Sequence, residues 1–301
     1  PDTIIALEPT YAITHHPAAM SAVSGALTAL SVFLPLAGAL ILWLLPSSGL
    51  LMRFRRRAAG LVLTLTSLLL LASVRGGASV TFPFWQPLFA VGATIAFAAD
   101  PLGGGLALLC ALAVTIVCLA TLARPLERRE ALGMLWLVGS SSGIALAANP
   151  LTLCLAWVTM EAGLLFVDMM RAPEEGIPRA ARNAFRGLIS AAALVAATIA
   201  LLEQPGGGGY LADLSLGGLP LRFLMAAALL RLGIYPLPGS LKRNWLAYLA
   251  SLCTGSYLWL RAVTLSTGAL PWQDWLLPLG GTTLLVSGLL ALLAPDLATA
   301  V

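Results

Sequence analysis

The chain has 301 residues, of which 59% are hydrophobic and only 10% charged, with a mean hydropathy of +0.93 and a net charge of +4. Water-soluble domains carry about 25% charged residues, so this composition excludes a soluble enzyme, a disordered chain and a disulfide scaffold. The basic excess serves membrane topology and not nucleic acid, as its distribution shows.

Residues 1–20 carry Asp2, Glu8 and the pair His15–His16, with no basic stretch and no small-residue cleavage pattern. They read as an extracytoplasmic segment, not a signal peptide, and two histidines fall short of a metal site's ligand count. Residues 21–301 read as one transmembrane helical domain. Apolar stretches of about 17 to 25 residues mark membrane helices. Charges, glycines and prolines punctuate nine of them: Ser24–Leu45, Ala58–Val74, Leu102–Ala123, Ala131–Ala148, Leu151–Met170, Gly187–Leu202, Leu221–Leu237, Trp245–Thr264 and Leu276–Ala294. Asn149–Pro150 splits the fourth from the fifth, where one overlong helix would otherwise be read. Gly206 to Gly209, after the sixth, read as a flexible connector, because the strand, Lys and Ser/Thr of a phosphate loop are missing.

The seventeen basic residues are sixteen arginines and Lys242, and they collect on alternate connections as the positive-inside rule requires. Arg53, Arg55, Arg56 and Arg57 follow the first span; Arg124, Arg128 and Arg129 follow the third. Arg171, Arg179, Arg182 and Arg186 follow the fifth, and Lys242 and Arg243 the seventh. The opposite side holds Arg75, Arg222 and Arg261, and Arg231 lies within a span. The expected fold is an all-α integral membrane protein with the N-terminus outside and the C-terminus cytoplasmic. Arginine over lysine, with heavy Ala, Leu, Gly and Pro usage, reads as a GC-rich bacterial genome and places the protein in a bacterial plasma membrane. Cys110, Cys118, Cys154 and Cys253 sit in apolar runs without CxxC or His/Cys spacing, so they read as small buried side chains, with no metal and no cofactor assigned to this chain.

Charges near a bilayer centre are expensive and are paired or functional. Glu161 lies mid-span in the fifth helix and Arg231 in the seventh, which predicts a pair between them. Two readings of Glu161 stand: a structural ion pair that orders the bundle, or a proton-handling carboxylate with Arg231 as a fixed charge. Asp168, seven residues on, returns to nearly the same helical face and would extend an acidic track. Asp100, before Pro101, reads as a helix cap.

Several segments carry a resemblance, in order along the chain: Phe33-Leu-Pro-Leu-Ala-Gly38, Phe97-Ala-Ala-Asp100-Pro-Leu, Asn149-Pro-Leu-Thr-Leu-Cys-Leu-Ala-Trp157, Leu230-Arg231-Leu-Gly-Ile-Tyr-Pro236, Gly255-Ser-Tyr257-Leu-Trp-Leu-Arg261 and Leu292-Leu-Ala-Pro-Asp296-Leu. This series resembles the antiporter-like membrane subunits of respiratory complex I, multisubunit cation/proton antiporters, membrane-bound hydrogenases and some inorganic-carbon uptake complexes. Those subunits move protons between lysines and glutamates in two related half-channels, an inverted-repeat architecture. The resemblance implies one half-channel repeat here, with the chain ending where a second would begin. Val158 stands where the family places its fifth-helix Glu, Arg231 where it places the seventh-helix Lys, Pro238 where it places His, and Cys253 where it places the eighth-helix Lys. Pro236 ends the seventh-helix motif as in the family.

Arginine does not readily release a proton, whereas a buried lysine does. The leading reading is therefore an accessory membrane subunit of a larger redox-linked or ion-translocating complex, with an impaired proton path, partnered by other integral membrane subunits within the lipid bilayer. A proton-translocating subunit using Glu161, Asp168 and Arg231 is the alternative. A quinone-associated membrane protein is a third, against which stand the missing nucleophile–base spacing and nucleotide motif.

Overall fold

A computed structural model describes residues 18–45, 49–77, 79–82, 94–120, 128–175, 177–204, 209–211, 214, 218–232 and 245–266. Eight helices follow the apolar runs: α1 (Ala18–Leu44), α2 (Gly49–Gly76), α3 (Pro101–Ala120), α4 (Arg128–Ala145), α5 (Pro150–Glu175), α6 (Ile177–Leu202), α7 (Gly218–Leu232) and α8 (Trp245–Leu265). Four of them contain spans long and apolar enough to cross a bilayer by length and composition alone: Val23–Leu44, Phe54–Gly76, Pro101–Ala120 and Pro150–Met170. The ninth expected span, Leu276–Ala294, and Pro236 lie outside the described residues.

Each helix packs on the next in sequence, and α4 also touches α1, α2 and α8. That central position explains its composition. The run Ser140-Ser-Ser-Gly143 is buried with almost all of α4, and small side chains let neighbouring backbones approach closely. Ser140 and Ser141 return their hydroxyl protons to carbonyls of their own helix, so the burial leaves those groups satisfied. Leu40, Ile41, Leu61 and Leu68 on α1 and α2 are exposed, as a lipid-facing surface requires.

The all-α expectation needs one correction. Between α2 and α3, β1 (Ser79–Phe82) and β2 (Ile95–Ala98) pair antiparallel, with Val80 opposite Phe97. At four residues each, the strands are too short to stand out from an apolar-run reading. Their sheet is completed by helix-turn backbone: Ala98 N–H donates to the Leu146 carbonyl (2.8 Å) and Ala148 N–H to that of Ala96 (2.9 Å). Phe33 of α1 meets Phe82 and Phe97 edge-on at 6.0 and 5.9 Å, a favourable arrangement of ring quadrupoles.

The α4–α5 turn organises this end of the bundle. Asn149 Oδ1 accepts from Thr152 N–H (2.8 Å), capping α5, while its Nδ2 donates to the Thr94 carbonyl (2.6 Å). Leu211, in the α6–α7 connection, donates its N–H to Ala148 O (2.6 Å). The connections α2–α3, α4–α5 and α6–α7 thus meet at one end, as alternate connections of an up-and-down bundle must. At the other end, buried Arg55 donates from Nη2 to the Leu45 carbonyl at the end of α1 (3.0 Å), a cation on the negative pole of a helix. Because Asn149 is both cap and cross-link, Asn149→Ala is expected to cost about 1–2 kcal/mol, read by denaturation in detergent; Asn149→Asp keeps the cap and recovers part of that loss.

Candidate intramembrane charge site

Glu161 projects from α5 into the space shared with α6 and α7. Arg231 Nη1 lies 2.9 Å from Oε1 and 3.1 Å from Oε2, with 10% of the arginine and 13% of the glutamate side chain exposed. One guanidinium nitrogen therefore donates to Oε2 and only stands at ion-pair distance from Oε1, which accepts no hydrogen bond among the described residues, in place of the two-nitrogen fork that guanidinium offers. Among the described residues, Arg231 Nε and Nη2 have no hydrogen-bond acceptor.

Close backbone approach makes room for the pair. Gly187 of α6 faces Glu161 so nearly that a methyl group there would overlap Oε2. One turn on, Ser190 Oγ donates to the Ala227 carbonyl (3.3 Å), fixing α6 to α7. On the other flank of α5, the Trp136 ring covers Gly163, and its Nε1–H donates to the Thr159 carbonyl (2.8 Å). Trp157, a turn before Glu161, is fully buried. Gly187→Ala would push the carboxylate off Arg231; a loss of about 1–3 kcal/mol is expected, measured as a lowered denaturation midpoint, with Gly187→Ser no better.

The structure separates Val158 from Glu161. Val158 is 46% exposed on the outer surface of α5, because three residues along a helix end about 60° away in direction. A carboxylate at 158 would stand on that exposed surface, away from Arg231. Asp168 sits half-buried on α5, two turns beyond Glu161. The structure thus joins Glu161 to Arg231 and keeps Asp168 at the distance that helical spacing dictates.

A second charge cluster was missed by sequence reasoning. Asp100 caps α3 by accepting the Gly103 N–H at Oδ1 (2.7 Å). Its other oxygen, Oδ2, is paired with Arg261 Nη2 of α8. Arg261 Nε donates to the Tyr257 hydroxyl (3.2 Å), with the guanidinium 5.4 Å from the ring centroid. The signal was available: Arg261 is one of the few basic residues on the sparsely charged side, where Asp100 is also placed, and Tyr257 precedes it by one turn.

No family model and no curated protein sequence matches the chain. Solved structures do. A chain of the membrane-bound sulfane sulfur reductase, an archaeal respiratory membrane complex, superposes with a TM-score of 0.69 at 17% identity, over 92% of this chain and 48% of that one. A chain of the Mrp complex from Dietzia sp. DQ12-45-1b gives 0.71 at 19% identity, over 94% of this chain and 32% of that one. The chain spans about half, or less, of the length of these neighbours. Its helical bundle has the fold of membrane-complex subunits, in agreement with the antiporter-like membrane subunit that its motifs resemble.

Proposed function

We propose that the chain is an accessory, antiporter-like membrane subunit of a larger redox-linked or ion-translocating complex, with an impaired proton path of its own. The observation that supports this reading is the partner of Glu161. A relay needs groups whose proton affinity burial and neighbours bring near ambient pH, which lysine as a residue type allows and arginine does not, and the residue against Glu161 is an arginine, Arg231, nine-tenths buried. The pair then acts as a fixed dipole tying α5 to α7. On this reading the chain forms one half-channel repeat with nine spans, an outside N-terminus and a cytoplasmic C-terminus in a bacterial inner membrane. Other integral membrane subunits cover part of its surface. The meeting of three alternate connections at one end supports the alternation of sides from span to span.

The deciding experiment is gentle purification from native membranes, with identification of the copurifying chains by mass spectrometry, together with proton flux in reconstituted vesicles. The reading expects other integral membrane subunits to copurify, and no flux difference between the chain and its Glu161→Gln variant. Recovery alone, with flux that Glu161→Gln abolishes, overturns it in favour of a proton-translocating protein using Glu161 and Asp168.

A further inference from the structure

At the end of the bundle opposite the Asn149 turn, arginines gather at one height. Val62 of α2 and Leu135 of α4 both lie against Gly38 of α1, and both helices run away from this end. Counting back six or seven residues from those contacts, about 10 Å along each helix, reaches Arg55 and Arg56 on α2 and Arg128 and Arg129 on α4. Leu45, which accepts from Arg55, is seven residues past Gly38 and closes the same level. Charge here is one-sided. Residues 46–57 and 121–130 hold seven arginines against Glu127 and Glu130, and with Asp168 at this end of α5 an excess of four positive charges remains. Arg128 and Arg129 open α4, where the helix dipole favours anions over cations. Arg128 Nε is buried and has no acceptor among the described residues. An apolar trough leads away from this level. Arg57 is exposed and falls on one helical face with Phe54, Leu61, Leu65 and Leu68, all of them exposed. Leu112, Ile116 and Leu119 make a matching exposed stripe on α3, and the two stripes adjoin where Leu119 lies against Gly60.

We propose that this end of α2, α3 and α4 seats one anionic phospholipid. Arg57 meets the headgroup phosphate at the lipid surface, Arg128 and the rest of the level supply the attracting field, and the acyl chains lie along the two apolar stripes. Guanidinium donors match phosphate oxygens in geometry and charge, and basic sites between membrane helices take such headgroups. The occupant is a lipid and not a soluble phosphate because Arg57 stands in line with hydrocarbon-facing side chains: a phosphate that reaches it from the bilayer brings chains that cover Phe54 and Leu61. The positive-inside rule asks only that arginines stay on one side. It asks neither for a cation in line with an apolar stripe nor for two cations on the positive pole of a helix. The site is independent of the role proposed for the subunit.

The test titrates the delipidated full chain in detergent with phosphatidylglycerol and with phosphatidylcholine of identical acyl chains, read by native mass spectrometry. One phosphatidylglycerol is expected to bind about 30-fold more tightly than phosphatidylcholine, each of two arginines near the phosphate contributing about fivefold. Arg57→Gln/Arg128→Gln must bring the two lipids within about threefold of each other, whereas Arg57→Lys/Arg128→Lys, which keeps the charge, must retain a preference. Arg75→Gln/Arg222→Gln removes two exposed arginines from the other end of the bundle and must leave the preference unchanged, which separates a site from bulk charge. Equal binding of the two lipids by the parent chain, or equal losses in the two glutamine variants, overturns the proposal. So does displacement of the lipid by soluble glycerol phosphate at matched concentration, which would assign the arginines to a free phosphate.

Discussion

Glu161→Ala is expected to destabilise the detergent-solubilised protein by about 3–5 kcal/mol, the magnitude found when one partner of a buried ion pair is removed. The cause is the charge left behind. Arg231 is 10% exposed, and guanidinium groups, unlike carboxyl groups, do not escape a desolvation cost by becoming neutral. The reverse truncation differs in kind. In Arg231→Met the stranded carboxyl group can be protonated and stay buried as a neutral acid, so its cost is expected to be about half as large. Replacing both, as Glu161→Leu/Arg231→Met, removes both charges and should lie closer to the parent than Glu161→Ala does, since well-packed apolar replacement of a buried pair is commonly neutral or better. Chemical denaturation of the four proteins measures this ordering. Equal losses for the two single variants would show that the pair is solvated and that its geometry carries little energy.

The same asymmetry explains which parts of the molecule were legible in the sequence. Helices α1 to α8 stand where apolar runs predicted, because in a bilayer backbone hydrogen bonds must close within the segment. Their ends were less legible. The run-based start of the second span, Ala58, cut away a helical turn and more that begins at Gly49 and carries Arg53, Arg55, Arg56 and Arg57. A polar helix end pays no hydropathy signal, although Arg55 earns its place there by capping α1. Glu161 and Arg231 could be paired from sequence because each is an isolated charge in an apolar stretch.

Long-range complementarity of uncharged or terminal groups left no comparable trace. Cys110 of α3 and Cys253 of α8 line one small cavity, yet they stand far apart in sequence, and free thiols are apolar enough to disappear into any buried helix. Gly187 reads as one more small residue of α6 until Glu161 is seen against it. The β1–β2 hairpin depends on carbonyl and amide groups of the α4–α5 turn. No local pattern announces a sheet completed by a helix junction.

Asp100 combines two functions that substitution can separate. Asp100→Ala removes the acceptor for Gly103 N–H, a cap whose loss costs about 0.5–2 kcal/mol. It also removes the carboxylate paired with Arg261, where a charge-assisted hydrogen bond contributes about 1.5–3 kcal/mol. The expected total is about 2–5 kcal/mol, and the 27% exposure of Asp100 argues for the lower half, since solvent screens the pair. Asp100→Asn keeps an oxygen for the cap and loses only the charge, so about 1 kcal/mol should return. Arg261→Gln then measures the other side. It leaves the α3 cap intact, and with Asp100→Asn it closes a double-mutant cycle whose coupling energy isolates the α3–α8 link. Identical denaturation curves for Asp100→Ala and Asp100→Asn would mean that α3 needs no cap at this position. A coupling energy near zero would mean that α8 is held against α3 by packing around Tyr257 and not by the ion pair.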